Sequence, residues 1–386
     1  MRTRFFRISL SVVLAAWSCV WCCSAADIRY PDINSTEISL LTAAPGEELY
    51  AAFGHSAVRV KDTISGLDAV FNYGMFDFNQ PGFYTNFAQG RMNYCLGVQS
   101  FGQFVSTYAR ENRPVRELVF ALDSAQKDHM IRFLFRNAQP ENRNYLYHFF
   151  LDNCATRIRD LLNLTCEGLV LPVSQKKSTY RALVYQYTNN HPWGRFGIDV
   201  ALGLPTDRST DMFAQMFLPD YLEDAFAKAT CSGQSLVRDT RNVVTPEQPL
   251  QVQAGWLTPS LTGWMLLVLA LAFRFIRKSA KLFDFLLFFT VGLTGLLVTF
   301  LWFFTDHTNT HGNLNIIWAL PTHSVMAFLL ILRKQNNFTR KYFLATAVIA
   351  VLLLLAWAFL PQHLNTALIP VTIAIAVRAY SISTTK

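Results

Sequence analysis

Apolar residues follow two regimes along this chain. Up to about residue 255 they recur in short periodic groups; beyond it they run together in long blocks. In the first regime, residues 55–61 alternate polar and apolar side chains, the period of a half-buried strand. Residues 68–73 read as the next strand, with Ile64, Ser65, Gly66 and Leu67 as the turn between, and 115–121 as a third. The pattern then switches to helical spacing over 123–137, where Asp123 is the N-cap and Gln126 follows three residues on. A second helix is predicted over 154–163, with Ile158, Leu161 and Leu162 on one face and Asp152 or Asn153 as its cap. This mixture predicts an α+β domain. Residues 237–255, polar and carrying Pro246 and Pro249, read as a linker. Beyond it lie five apolar blocks, 256–273, 282–304, 314–332, 342–360 and 364–380, each near the roughly 20 residues that span a bilayer. The last is interrupted by Pro370 and Arg378. The expected organisation is a leader over 1–26, an exported domain over 27–255 and an all-α membrane domain of about five helices over 256–386.

Charge orients this arrangement. The chain is 52% hydrophobic and 16% charged, with a net charge of +8. Residues 27–256 nevertheless carry 21 Lys/Arg against 24 Asp/Glu, so the basic excess lies in the leader and beside the apolar blocks. That placement suits membrane targeting and argues against nucleic acid as a partner. The loops at 274–281 and 333–341 are basic, whereas those at 305–313 and 361–363 have no Lys or Arg. The positive-inside rule puts the basic loops in the cytoplasm and the α+β domain outside. Arg2, Arg4 and Arg7, an apolar run over 8–22 and Cys23, Ser24, Ala25 and Ala26 read as a secretory signal, which sends the domain the same way.

Cleavage there would leave Cys95, Cys154, Cys166 and Cys231, whose spacings match no zinc pattern and whose pairing the spacing leaves open. Cys154 stands apart. An apolar run ends at Leu151, the polar pair Asp152 and Asn153 follows, and the thiol falls in the first turn of the predicted helix. Unpaired N–H groups and the helix dipole there favour an anion, so the thiolate fraction rises. The same N–H groups can stabilise an oxyanion, with Asn153 as a further donor. The plainer alternative is a small buried hydrophobe. A thiol nucleophile needs a base. His129 lies on a charged helix face, His148 in an aromatic run and His191 before Pro192 in a loop, whereas His55 follows Gly54 at the head of a strand. His55 is therefore the leading base. Asn72, on the strand expected to pair with that of His55, is placed to orient the ring; a structural role is the alternative. Arg59 lies on the His55 strand, where a cation would lower the imidazole pKa.

The stretches Gly54-His55-Ser56-Ala57-Val58-Arg59-Val60, Val70-Phe71-Asn72-Tyr73-Gly74 and Asp152-Asn153-Cys154-Ala155-Thr156 resemble a permuted papain-like, NlpC-type domain, in which the histidine strand precedes the cysteine helix. With Phe196-Gly197-Ile198-Asp199, Phe217-Leu218-Pro219-Asp220-Tyr221 and the region from Asp306 and His307 through Trp318 to His323, the chain more specifically resembles the Lnb-type lipoprotein N-acyltransferases of Gram-negative bacteria. The resemblance implies Cys154 as nucleophile and His55 as base. It implies Asn72 less directly, because related groups carry His or an acid there.

A second polar cluster runs from Asp306, His307 and His311 through Asn313 and Asn315 to His323. The derived topology puts it at the outer end of the second and third apolar blocks. Polar groups there are costly and are usually functional or paired. Lipid-headgroup or acceptor binding by His307, Asn313, Asn315 and His323 is one reading, and helix–helix hydrogen bonding the other. No i,i+4 histidine pair supports a metal. The carboxylates Asp199, Asp207, Asp211 and Asp220 read as caps and surface charges.

These features lead to an expectation of acyl transfer without a cofactor, at the bacterial inner membrane. A phospholipid donor would acylate Cys154, and the α-amine of a diacylglyceryl lipoprotein would accept the chain. A thiol amidohydrolase acting on cell-wall peptides is the alternative, and a non-catalytic exported scaffold on a membrane anchor the third reading.

Overall fold

The computed structural model describes residues 30–76, 81–173, 177–246, 255–332 and 336–385, so the expected leader lies outside the described residues. Two compact units emerge. One takes in the chain up to Phe87, Arg91–Lys177 and Thr210–Gln251; the other takes in Ala88–Gly90, Ser178–Ser209 and Val252–Lys386. Residues 178–209 thus belong with the C-terminal unit, and no single cut near residue 255 separates the two.

The first unit is built on a seven-stranded antiparallel sheet. Its strands are β1 (Thr36–Ala43), β2 (His55–Asp62), β3 (Asp68–Met75), β4 (Asn93–Ser100), β5 (Val115–Phe120), β6 (Asn144–Leu146) and β12 (Val237–Val244); the short strands β7 (Leu169–Val170), β8 (Ser178–Thr179), β9 (Ser209–Thr210), β10 (Thr230–Cys231) and β11 (Gln234–Ser235) lie between the last two in the chain. The order across the sheet is β12-β5-β1-β2-β3-β4-β6. The strands predicted over 55–61, 68–73 and 115–121 are β2, β3 and β5. The expected linker starts later than its composition suggested, because Val237–Val244 pairs with β5 as an edge strand. An edge position tolerates the polar, half-exposed side chains that made this stretch read as a loop.

Alternation along the strands builds two faces. Leu40, Val58, Val60 and Phe71 face one core, shared with Met130, Ile131 and Leu134 of α3 (Ser124–Asn137) and Ile158, Leu161 and Leu162 of α4 (Cys154–Thr165). Leu41, Ala43, Ala57 and Val70 face the other, with Phe104 of α2 (Phe101–Arg110). Both helix starts carry the predicted chemistry: Asp123 and Gln126 form a reciprocal capping box on α3, and Asn153 rather than Asp152 caps α4. A disulfide joins Cys166, at the end of α4, to Cys231, and neither Cys95 nor Cys154 is part of a disulfide.

The second unit is helical. It contains α5 (Tyr180–Thr188), α6 (Pro192–Ala201), α9 (Pro259–Ala272), α10 (Arg277–Phe303), α11 (Thr322–Ile331), α12 (Asn337–Ala356) and α13 (Leu368–Thr384). Among the described residues, three stretches are long and apolar enough to cross a membrane, Ala280–Phe303, Leu314–Ile331 and Asn337–Phe359, and two apolar helices, α9 and α13, are shorter. The third block is not one smooth helix. A 3-10 turn over Leu314–Ile317 precedes α11, which starts after Pro321. Pro370 does not break α13, because it lies in the first turn, where its missing N–H has no helical partner to lose. Arg378 is paired there with the Asp284 carboxylate of α10, at 2.6 and 2.9 Å.

Candidate active site

Two glycines shape the site. Gly54 has φ of 76°, and an added Cβ would lie 2.8 Å from the Ala43 carbonyl oxygen. Only glycine makes this approach, and it delivers His55 as the first residue of β2. Gly74, with φ of 86°, lies against the Cys154 end of α4, where an added Cβ would be 3.8 Å from Cys154 Cβ. One step along the β2–β3 register from the Val58–Phe71 pair, Asn72 stands opposite Ala57. That puts Asn72 diagonal to His55 on the same sheet face, within reach of a long side chain.

The reach is realised. His55 Nε2 lies 3.1 Å from Asn72 Oδ1. A carboxamide oxygen only accepts, so Nε2 carries the hydrogen and Nδ1 is left for the thiol. His55 and Cys154 are hydrogen-bonded to each other. The structure thus brings together Cys154, His55 and Asn72, which lie far apart in the chain. Cys154 and His55 are half-buried and Asn72 is buried.

The thiol–imidazole pair is electrostatically matched. Burial alone would raise the Cys154 pKa. The charge of His55, its hydrogen bond, and the N–H groups of Ser56 and Ala155 outweigh burial and hold it below the ordinary 9.0. Burial alone would lower the His55 pKa. The thiolate charge and hydrogen bond, with Asn72, outweigh burial and the opposing Arg113, and raise it above 6.5. The thiolate–imidazolium form is favoured from both sides. Arg59 is not the cation the ring feels. It is tied to Asp68 at 2.7 Å and to Glu117 at 3.0 Å.

The Asn153 side chain turns back onto the start of α4. Its Oδ1 accepts from the Ala155 and Thr156 N–H groups, each at 2.9 Å. Both amide hydrogens go to carbonyls, Phe149 and Phe217, each at 2.8 Å. The extra oxyanion donor expected from its side chain is therefore already engaged. Asp152 pairs with Arg157 at 2.6 Å. Among the other histidines, His129 Nδ1 lies 3.2 Å from Thr165 Oγ1, His148 Nδ1 accepts from Phe150 and Leu151 N–H groups, and His191 sits at the head of α6. Sequence reasoning missed Arg113 and the Ser56 N–H. Their only signal is tertiary, since neither lies in a motif with the thiol.

The model of the Lnb N-terminal periplasmic domain matches residues 25–186, and that of the Lnb transmembrane domain matches residues 251–386. The chain belongs to the Lnb family. Comparison with curated proteins and with solved structures returned no match. As an Lnb-family chain it is a membrane protein with a periplasmic domain, and it acts on lipoproteins.

In the transmembrane unit of this Lnb-family chain, the second polar cluster is engaged internally. Asn313 and Asn315 are wholly buried. Asn313 Nδ2 donates to the Val200 and Ala201 carbonyls at 2.8 and 3.1 Å, and Asn315 Nδ2 donates to the Asp199 carbonyl at 3.0 Å. Neither amide is available to a headgroup; the helix–helix alternative describes both. His323 is buried with Nδ1 2.6 Å from the Tyr342 hydroxyl, and His307 is half-buried against Gly90. Asp199, expected as a surface charge, is fully buried and paired with Arg181 at 2.9 Å. Asp207 joins the same arginine at 3.0 Å, Asp211 caps a short helix, α7 (Met212–Gln215), and Asp220 pairs with Arg116.

Proposed function

We propose that this chain is a lipoprotein N-acyltransferase working through a thioester on Cys154. The observation that carries the proposal is the Cys154–His55–Asn72 constellation, on one helix start and two paired strands, in a chain of the Lnb family. The periplasmic unit is read as a permuted papain-like domain, held at the inner membrane by a unit of five membrane-crossing helices.

The Cys154 thiolate attacks the ester carbonyl of a phospholipid acyl chain. The oxyanion is held by the Cys154 N–H at the start of α4, which lies outside the Asn153 cap. As the tetrahedral intermediate collapses, His55 Nδ1 gives its proton to the departing alkoxide, and lysophospholipid leaves. The neutral α-amine of the lipidated N-terminal cysteine then attacks the thioester. His55 takes its proton, an amide forms and the thiolate is regenerated. Ester and amine become amide and alcohol with no other reactant, in two steps each easier than direct exchange. A covalent tether to a membrane unit keeps the thiol at the surface where both lipid substrates reside.

The test incubates purified full-length protein with phospholipid and a diacyl lipoprotein, and reads the N-terminal lipopeptide by mass spectrometry. Wild type should add one acyl group to the α-amine, and Cys154→Ala should lower the rate by about a thousandfold or more. Transfer by both proteins would remove Cys154 from the mechanism. Absence of transfer by both would remove N-acylation and leave hydrolysis of cell-wall amides as the next assay.

A further inference from the structure

Beside the thiol–imidazole pair lies a buried cation with one edge unengaged. Arg113 is 6% exposed. Its Nε donates to the Ala44 carbonyl at 2.9 Å and its Nη1 to the half-exposed Glu111 carboxylate at 2.8 Å. Its Nη2 has no acceptor among the described residues. The Tyr108 ring lies under the guanidinium, 4.7 Å from Cζ to centroid, and its hydroxyl has no acceptor there either. We propose that Arg113 Nη2 and the Tyr108 hydroxyl bind the phosphodiester of the glycerophospholipid donor, an assignment that deepens the acyl-transfer reading above and rests on it.

Placement is the first support. Ala43 of β1 is the cross-strand partner of His55. The next residue is fixed from both sides: the Ala44 N–H donates to the Pro114 carbonyl at 2.9 Å, and its own carbonyl accepts from Arg113. The guanidinium is thereby held by the neighbour of the residue that faces His55, and its charge opposes protonation of that ring. Burial raises the Tyr108 pKa, Arg113 lowers it, and Glu111 and Cys154 raise it further, so the phenol lies in the field of the thiol as well as of the cation. In a glycerophospholipid about five or six bonds separate an ester carbon from phosphorus, roughly 6–7 Å when extended. A phosphate on this pair leaves the ester within reach of the thiol.

Construction is the second. An arginine buried this deeply normally has its N–H groups engaged by protein partners. Here the backbone secures the side chain and leaves one edge over. The Arg113 N–H donates to the Tyr108 carbonyl at 2.9 Å, which fixes the two residues relative to each other. Gly46 lets the loop after β1 lie against the guanidinium; an added Cβ would come within 3.3 Å of Arg113 Cδ and Cζ and 2.8 Å of Ala51 Cβ. Chemistry is the third. A guanidinium edge with two N–H groups beside a neutral hydroxyl matches the oxygens of a phosphate. That match separates the two substrates: the donor carries a phosphodiester next to its esters, and the diacylglyceryl acceptor carries none.

The experiment titrates full-length protein in detergent with the dioctyl ether of glycerophosphoethanolamine or the dioctyl ether of glycerol, neither of which can acylate a thiol. Occupancy is read as protection of Cys154 from alkylation, by mass spectrometry of the Cys154 peptide. Wild type should be half-protected at about a tenfold lower concentration of the phospholipid ether than of the glycerol ether. Tyr108→Phe, which keeps the ring under Arg113, should lose about threefold of that preference, and Arg113→Met about tenfold, with protection by the glycerol ether unchanged in both. Inorganic phosphate should compete with the phospholipid ether and leave protection by the glycerol ether as it was. Equal protection of wild type by the two lipids overturns the proposal. So do equal losses for both lipids in the variants, which would make Arg113 and Tyr108 supports of the fold. Phosphate that protects Cys154 as well as the phospholipid ether does would mark a site for the free anion, and the proposal fails. Thioester formation on Cys154 from the corresponding diester is read separately. Its absence removes the acyl-transfer reading, whereas the ether lipids decide the phosphate subsite without any transfer.

Discussion

At the residue scale, the proposed chemistry rests on two opposed pKa shifts, of Cys154 and His55, that titrate as one pair. In the proposed acyl transfer the thiolate is the nucleophile and the imidazolium the acid, so the pH profile should rise as Cys154 ionises and fall as His55 loses its proton. Asn72 raises the His55 pKa by accepting from Nε2, and Arg113 lowers it by charge. Asn72→Ala should therefore move the alkaline limb of kcat/KM to lower pH, and Arg113→Met should move it to higher pH. An alkaline limb that stays in place in both variants would show that His55 is not the proton donor.

At the element scale, Asn153 couples helix start to site. It caps α4 and ties that start to the carbonyls of Phe149 and Phe217. Asn153→Ala removes a cap worth about 1 kcal/mol and takes away the amide donors to the part-buried Phe149 and buried Phe217 carbonyls. A total loss of about 2–4 kcal/mol is expected from thermal or denaturant unfolding. Asn153→Asp keeps the acceptor and loses the donors, so it should fall between alanine and wild type. If aspartate is as damaging as alanine, the cap matters less than the two carbonyls. The disulfide at the other end of α4 closes a loop of 65 residues between Cys166 and Cys231, an entropic restraint on the unfolded chain.

At the scale of the whole molecule, the transmembrane unit holds charges that hydropathy alone does not explain. Asp284 of α10 and Arg378 of α13 are both buried and form a two-pronged pair. Removing one partner strands the other charge. Arg378→Met should lower stability in detergent by about 3–5 kcal/mol, whereas the double variant Asp284→Leu/Arg378→Met should recover most of it. Equal melting of all three proteins would mean that the pair contributes nothing to helix packing.

The sequence by itself determined what depends on local periodicity and local charge. The strands β2, β3 and β5, the helices α3 and α4 and the apolar blocks are short-range patterns, and each is written in side-chain spacing. Cys154 at a helix start was legible for the same reason, because its cap is the residue before it. His55 stood out through Gly54 and its place at the head of a strand, and Asn72 through one expected strand pairing. Tertiary structure alone decided what depends on distant partners. Val237–Val244 is a strand because β5 offers it an edge, although its polar composition suits a loop. Asp199 is a core charge because Arg181 and Asn365 come to it from other elements. Asn313 and Asn315 read equally as headgroup ligands or as helix fasteners until their carbonyl partners on α6 were known. A side chain's hydrogen-bonding capacity is written in its own chemistry; which atom satisfies it is settled only when the chain has folded around it.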